Sequence, residues 1–214
     1  MKVSKVCYFG ERGVFIFLKM KKSFRQNKKP LIGERAKKIR AVVFDADGVF
    51  FTGRVFIDPE KGEVLKERSH VDGQGISLLR AVGIRIAFVS GGTPGFVERI
   101  GDKLNVLPSV KNGTWSPVEI FSGPQGKGKV ESIDAWLRRL NLSWPECAYM
   151  GDDISDYQIL RKVGFSGAPQ QAEDIIKNIV HYVAPRRGGD GAIRDFANFI
   201  LDAQGVDILT LSLR

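Results

Sequence analysis

The sequence predicts an α/β fold: a doubly wound, mainly parallel sheet with a β-hairpin after its first strand. Three observations carry this. Short, unbroken apolar runs each stop at a polar residue, which suits strands covered on both faces. Apolar stripes of helical period lie between those runs, giving the alternation of a doubly wound sheet. Directly after the first run comes an extended segment broken by a Pro/Gly turn, which reads as a hairpin.

The elements follow in order. Ala41-Val42-Val43-Phe44 is the first strand and stops at Asp45. Val49 to Ile57 and Glu63 to Ser69 flank the turn Asp58-Pro59-Glu60-Lys61-Gly62, so the hairpin projects beside whatever Asp45 builds. Ile84 to Val89, with Arg85 as its one polar break, stops at Ser90. Phe96, Val97, Ile100 and Leu104 form one helical stripe. Val130, Ile133, Trp136, Leu137 and Leu140 form a second, on a helix opened by Lys129. Between them, Pro108 to Lys127 is rich in Gly, Pro and Ser and too long for an ordinary connection, so it is expected to cover a site. Cys147-Ala148-Tyr149-Met150 is a third strand and stops at Gly151-Asp152-Asp153. Ile193, Phe196, Phe199 and Ile200 make a helical stripe near the C-terminus.

The chain has 214 residues and a formal net charge of +9, which would ordinarily suggest an anionic partner. The charge is not spread evenly. Residues 1–40 hold 13 of the 33 Lys/Arg and two of the 24 Asp/Glu, a balance of +11, which leaves −2 for the remainder. The predicted organisation is a basic arm over 1–30, partly disordered or solubilising, a catalytic domain over 31–205 and a tail over 206–214. A start at Met20 would shorten the arm. A nucleic-acid- or lipid-binding role for it lacks any accompanying aromatic-basic motif. The apolar run Val14 to Leu18 is shorter than a signal-peptide core or a membrane span, so a cytoplasmic protein is expected. Cys7 and Cys147 cannot build a disulfide framework, and His70 and His181 are too few for a histidine metal site. Any metal must take oxygen ligands, which favours Mg²⁺.

Ligand sites in open α/β sheets lie at the carboxyl ends of strands. Here those ends read Asp45-Ala46-Asp47-Gly48-Val49, Ser90-Gly91-Gly92 and Gly151-Asp152-Asp153-Ile154-Ser155-Asp156. Carboxylates so crowded repel one another unless a cation binds among them, so the spacing itself predicts Mg²⁺. Phosphoryl transfer gives each group a role. One carboxylate attacks phosphorus and forms an acyl phosphate. A second, two residues on, lies on the same side of an extended chain and can protonate the leaving oxygen. A hydroxyl, glycine amides and a lysine can hold the non-bridging oxygens.

These residues resemble the motifs of the haloacid dehalogenase superfamily of phosphotransferases, over about residues 31–205. The resemblance is nearest to the capless branch holding 3-deoxy-D-manno-octulosonate 8-phosphate phosphatase and the nonulosonate 9-phosphate phosphatases. Four stretches carry it: Phe44 to Val49, Val71 to Ile76, Ala148 to Asp153, and Arg187 to Asp195. It implies a HAD-like fold with Asp45 as nucleophile and Asp47 as general acid/base. It also implies Ser90, Gly91, Lys129 and Asp72 on the phosphate and substrate side. Asp45, Asp47 (through its backbone carbonyl) and Asp152 would hold Mg²⁺, with Asp153 and Asp156 in support. The implied substrate is a small phosphorylated sugar acid, the implied assembly a homotetramer in which hairpins and a neighbour's C-terminal segment help close the site, and the pathway lipopolysaccharide synthesis.

Three departures from the octulosonate pattern concern the substrate. Gly92, Val71 and Ser77 stand where that pattern carries arginines. Pro185-Arg186-Arg187 looks more like the sialic-acid-type members. Only 45 residues separate Asp45 from Ser90, too few for an inserted cap, so a partner subunit, the 108–127 stretch or a large substrate must cover the site. The lost arginines keep open a non-catalytic interaction module linked to sugar-nucleotide synthesis, which the clustered aspartates argue against. A nucleic-acid phosphatase is disfavoured by the −2 charge of the domain. Neither nucleic acid nor membrane is expected as a partner.

Overall fold

The computed structural model describes residues 28–123 and 126–211; most of the basic arm lies outside them. A six-stranded, wholly parallel sheet runs in the order β5-β4-β1-β6-β7-β8. Its strands are β1 Ala41–Asp45, β4 Arg85–Ser90, β5 Glu119–Ser122, β6 Cys147–Met150, β7 Phe165–Ala168 and β8 Tyr182–Val183. The hairpin β2 Val55–Asp58 and β3 Gly62–Lys66 forms a separate antiparallel sheet. The helices are α1 Lys28–Ala36, α2 His70–Ala81, α3 Phe96–Asn105, α4 Pro108–Lys111, α5 Lys127–Arg139, α6 Tyr157–Leu160, α7 Asp174–Lys177 and α8 Ala192–Ala203.

The two-residue period of the strands sorts side chains into two cores. Val42, Phe44, Ile86, Phe88, Ala148 and Met150 face one core, with Ile76 and Leu79 of α2 and Ile193 and Phe196 of α8. Ala41, Val43, Ala87, Val89, Cys147 and Tyr149 face the other, with Ile133 and Trp136 of α5, Ile159 of α6 and Ile176 of α7. Every strand read from an unbroken apolar run is therefore covered on both faces. Among the described residues no helix is long and apolar enough to cross a membrane.

Three expectations change. The hairpin is shorter than its β-prone sequence. Val49, Phe50 and Phe51 are buried in the core instead, Phe50 lying edge-on to Phe88 with ring centroids 4.9 Å apart. The Pro108–Lys127 stretch does not lie across the site as a loop. It contributes α4, buries Trp115 and supplies the edge strand β5, with Phe88 opposite Ile120 and Val89 opposite Phe121. At its end Gly126 reaches the cavity described below. The residues read as a tail pack partly on the core through Val206, Ile208 and Leu211.

Candidate active site

β1, β4 and β6 lie side by side, with Asp45 opposite Val89 and Phe44 opposite Met150. The residues that follow these strands therefore meet at one edge of the sheet. Within β1, residues 41, 43 and 45 share a face, so Asp45 points toward the layer of α5 and α6. There Lys129, from the first turn of α5, places its ammonium 2.6 Å from Asp45 Oδ1 and 2.9 Å from Asp156 Oδ1. All three are buried.

Asp156 is fully covered and has other donors: the Tyr149 hydroxyl donates to Oδ1 at 2.6 Å and the Asp152 amide to Oδ2 at 3.1 Å. Tyr149 belongs to the same strand face as Asp45, which is why its hydroxyl arrives there. A buried ammonium paired with carboxylates on two different elements locks β1, α5 and the turn before α6 into one geometry.

The cluster is electrically unfinished. Burial raises the pKa of Asp45 well above the ordinary carboxylate range, and the charge of Asp156 adds to this; Lys129 opposes it without reversing it. Burial and the neighbouring carboxylates of Asp156 and Asp153 push Asp152 up to about 7. Burial pulls Lys129 down, but Asp45 and Asp156 outweigh it, so its pKa is raised and it stays charged. One carboxylate oxygen from each of Asp45, Asp152 and Asp156 falls within 4.8 Å of the others. This is an all-oxygen donor set holding more negative charge than Lys129 neutralises, and it fits a hard divalent cation. Asp156 is already occupied by Lys129 and Tyr149, so Asp45 and Asp152 are the carboxylates with capacity to spare.

A cavity of about 520 Å³ opens over the cluster, lined by Asp45, Asp47, Gly91, Gly92, Lys129 and Asp152 among others. Gly48, at φ +85°, turns the chain after Asp47, and a Cβ there would run into the Asp152 carboxylate. Gln171 fastens that turn: its side-chain N–H donates to the Gly48 carbonyl at 2.6 Å, and its Oε1 accepts from the Gly188 amide at 2.8 Å. The structure thus brings Asp45, Asp47, Gly91, Lys129, Asp152 and Asp153 to one cavity. Ser90 lies buried beneath it, its Oγ accepting the Gly92 amide at 3.3 Å. Asp153 also caps the following turn, accepting the Ile154 amide at 2.6 Å.

Asp72 is not brought to this cavity. It is fully buried, and its two oxygens accept the amides of Gly191 at 3.0 Å and Arg194 at 3.2 Å at the start of α8. A carboxylate at a helix N-terminus satisfies orphan amides and complements the helix dipole. The stretch Arg187 to Asp195 is likewise a wall of the fold: Arg186 pairs with Asp195, and Gly188 packs against the Gly48 carbonyl.

Gln171 and Lys66 lie outside the quoted motifs, and Tyr149 lies within one that gives it no role. Tyr149 sits inside an apolar run and Gln171 far along the chain, so neither carries a local signal. Lys66 ends the hairpin, and its ammonium lies 2.7 Å from Asp47 Oδ1.

A family model for haloacid dehalogenase-like hydrolases matches residues 63–164. The 3-deoxy-D-manno-octulosonate 8-phosphate phosphatase of Yersinia pestis is 30% identical over 171 residues, 80% of this chain and 84% of that protein. The crystal structure of a probable YrbI family phosphatase from Pseudomonas syringae has a TM-score of 0.71 at 33% identity, covering 81% of this chain and 91% of that one. A 3-deoxy-D-manno-octulosonate 8-phosphate phosphatase from Moraxella catarrhalis, in complex with magnesium ion, phosphate ion and KDO, has a TM-score of 0.72 at 26% identity, covering 83% and 94%. Matched along four-fifths of its length at this level, the chain belongs to the haloacid dehalogenase-like hydrolases and is a phosphoric monoester hydrolase.

Proposed function

We propose that the chain is a Mg²⁺-dependent phosphatase that hydrolyses a sugar-acid phosphate monoester of the 3-deoxy-D-manno-octulosonate 8-phosphate type through an aspartyl phosphate on Asp45. The observation that carries this is the Lys129 ammonium at 2.6 Å from Asp45, in a buried carboxylate cluster that opens into a cavity. The phosphatase of Moraxella catarrhalis binds magnesium, phosphate and KDO, which supports the substrate class.

In the first step Asp45 Oδ attacks phosphorus and the ester oxygen leaves with a proton from Asp47. In the second, Asp47 takes a proton from water as that water attacks the acyl phosphate, freeing phosphate and restoring Asp45. Lys129, Ser90 and the Gly91 amide hold the phosphoryl oxygens. Asp45, Asp152 and the Asp47 carbonyl would hold Mg²⁺, which when bound neutralises nucleophile and phosphoryl group together, where they otherwise repel.

A second substrate reading has its own support. Position 92 is glycine, and a Cβ there would begin 2.6 Å from Asp47 Oδ2, so an arginine needs Asp47 to move. This is the observation on the side of the alternative substrate, a nonulosonate 9-phosphate. The test is phosphate release from a panel of both sugar-acid phosphates, with EDTA and Asp45→Asn as controls. Turnover of neither class refutes the substrate class, and turnover undiminished by EDTA refutes the metal.

The assembly we propose is a homotetramer. The hairpin exposes Phe56, Ile57 and Leu65 at 60%, 69% and 61% of their surfaces, an apolar face that a second copy would cover. Light scattering near the 23.7 kDa monomer mass contradicts it.

A further inference from the structure

β3 ends on a lysine that behaves unlike the rest of the hairpin. The Lys66 side chain is only 3% exposed, while Leu65 beside it is 61% exposed. Its ammonium sits 2.7 Å from Asp47 Oδ1 and 3.2 Å from Glu63 Oε2. The rings of Phe96 and Phe51 flank it, with centroids at 5.1 and 5.9 Å. Burial pulls its pKa down, but Asp47 and Glu63 outweigh this and the net shift is upward, so the group is a permanent cation.

Asp47 needs such a partner. It lies beyond the end of β1, where the chain has left the sheet, and its side chain is 37% exposed. Nothing in the sheet sets its rotamer. A proton donor contributes only when its oxygen is held within hydrogen-bond reach of the leaving group. Lys66 does not line the cavity, so it reaches the chemistry through Asp47. Glycine at 92 leaves the pair its room, since a Cβ there would stand 2.6 Å from Asp47 Oδ2 and 3.6 Å from Lys66 Nζ.

We infer that Lys66 is a positioning residue: the hairpin delivers its ammonium to Asp47 Oδ1 and holds that carboxyl group in place, protonated on its other oxygen when it gives its proton to the leaving oxygen and ionised when it takes one from water. The inference rests on the reading of Asp47 as general acid/base. It makes the hairpin part of the proton-transfer apparatus as well as a surface for assembly.

The test compares leaving groups. kcat/KM covers substrate binding through formation of the acyl phosphate, the step in which the alcohol departs. With the full chain and Mg²⁺, kcat/KM is measured for p-nitrophenyl phosphate, whose leaving group needs little protonation, and for alkyl and sugar phosphates, whose leaving groups need it. Lys66→Met keeps the length and the packing between the rings but removes the charge. It should lose roughly tenfold to a hundredfold on alkyl esters, a part of what general acid catalysis supplies, and under about threefold on the aryl ester. Lys66→Arg should recover most of the loss. Should Lys66→Met fail to fold, as judged by thermal melting, Lys66→Gln keeps a donor without the charge and carries the same comparison. An equal loss on both ester classes, or no loss, overturns the inference. Asp47→Asn separates the two readings. If it shows the leaving-group dependence and the Lys66 variants do not, only the role of Lys66 falls. If Asp47→Asn shows none, the acid/base reading falls and this inference falls with it.

Discussion

The carboxyl edge of the parallel sheet and the hairpin beside it invert the usual placement of charge. At the edge, Asp45, Asp156 and Lys129 are buried and bound to one another. In the hairpin, Phe56, Ile57 and Leu65 face solvent while the Lys66 ammonium is covered. Each region is complete on one side and unfinished on the other. The edge is mechanically finished, since strand register and Lys129 fix its geometry, but it holds an excess of negative charge that a divalent cation would balance. The hairpin is satisfied where it touches Asp47 and lacks a partner where it faces away. On the reading proposed above, the sheet assembles the chemistry and the hairpin tunes proton transfer from outside it.

The sharpest way to break the comparison is at Asp45, the proposed nucleophile. Asp45→Asn should lower phosphate release by at least about 10⁴-fold, because the bond-forming group is gone. The fold should survive, since the change removes one charge from a crowded carboxylate cluster and leaves Lys129 paired with Asp156. Retained turnover would show that the edge is not where the chemistry happens.

Removing the cation instead of the nucleophile should cost both stability and rate. Lys129→Met leaves Asp45 and Asp156 buried without their ammonium, a loss of about 3–5 kcal/mol for breaking a buried pair. For a chain of this size that is on the order of 10 °C in Tm. kcat/KM should fall about 10²–10³-fold as an oxyanion ligand is lost. Thermal melting and initial rates check both, and Mg²⁺ should restore part of the Tm. A variant that melts with the wild type would show that Lys129 is not the lock between β1, α5 and the turn before α6.

The acidic edge was legible because its residues terminate apolar runs. Asp45, Ser90 and Asp152 are each the place where a doubly covered strand gives way to polar chain, and parallel register then brings them together. Asp72 shows where local pattern is insufficient: it sits in a motif but points at the start of α8, a contact 119 residues away in sequence. β5 was missed because four residues, Glu119-Ile-Phe-Ser, lie within a Gly/Pro/Ser-rich context and take strand form only by pairing with β4. Lys66 was missed because nothing local distinguishes a lysine that folds inward from one that faces water. Phe51 and Phe96, from two other segments, make that difference.

A gentler probe titrates the edge. Burial and neighbouring acids raise Asp45 and hold Asp152 near 7. A folded-state pKa above the unfolded value near 4 favours the protonated fold. That stability is fully present below about pH 4 and is lost as pH rises through about 7. Mg²⁺ binds the deprotonated carboxylates and repays the loss only above that range. At a hundredfold excess over Kd, Mg²⁺ should raise Tm by about 5–10 °C at pH 8 and by far less at pH 5. Equal shifts at both pH values would mean that the cation binds elsewhere.

The smallest effect on the fold should come from the hairpin's outer face. In the free monomer Phe56 and Ile57 are exposed, so Ile57→Asp should change monomer stability by no more than about 0.5 kcal/mol. In an assembly that covers this face, the same aspartate would be buried without a partner, at several kcal/mol per interface. Light scattering should therefore move from a multiple of 23.7 kDa toward the single mass, while monomer melting stays where it was. The contrast separates the two sides of one strand pair: Ile57→Asp acts on assembly and spares the Lys66–Asp47 contact, whereas Lys66→Met acts on the leaving-group dependence and spares the mass. If Ile57→Asp leaves a multimeric mass untouched, the copies meet through another surface and the hairpin's apolar face serves some other contact.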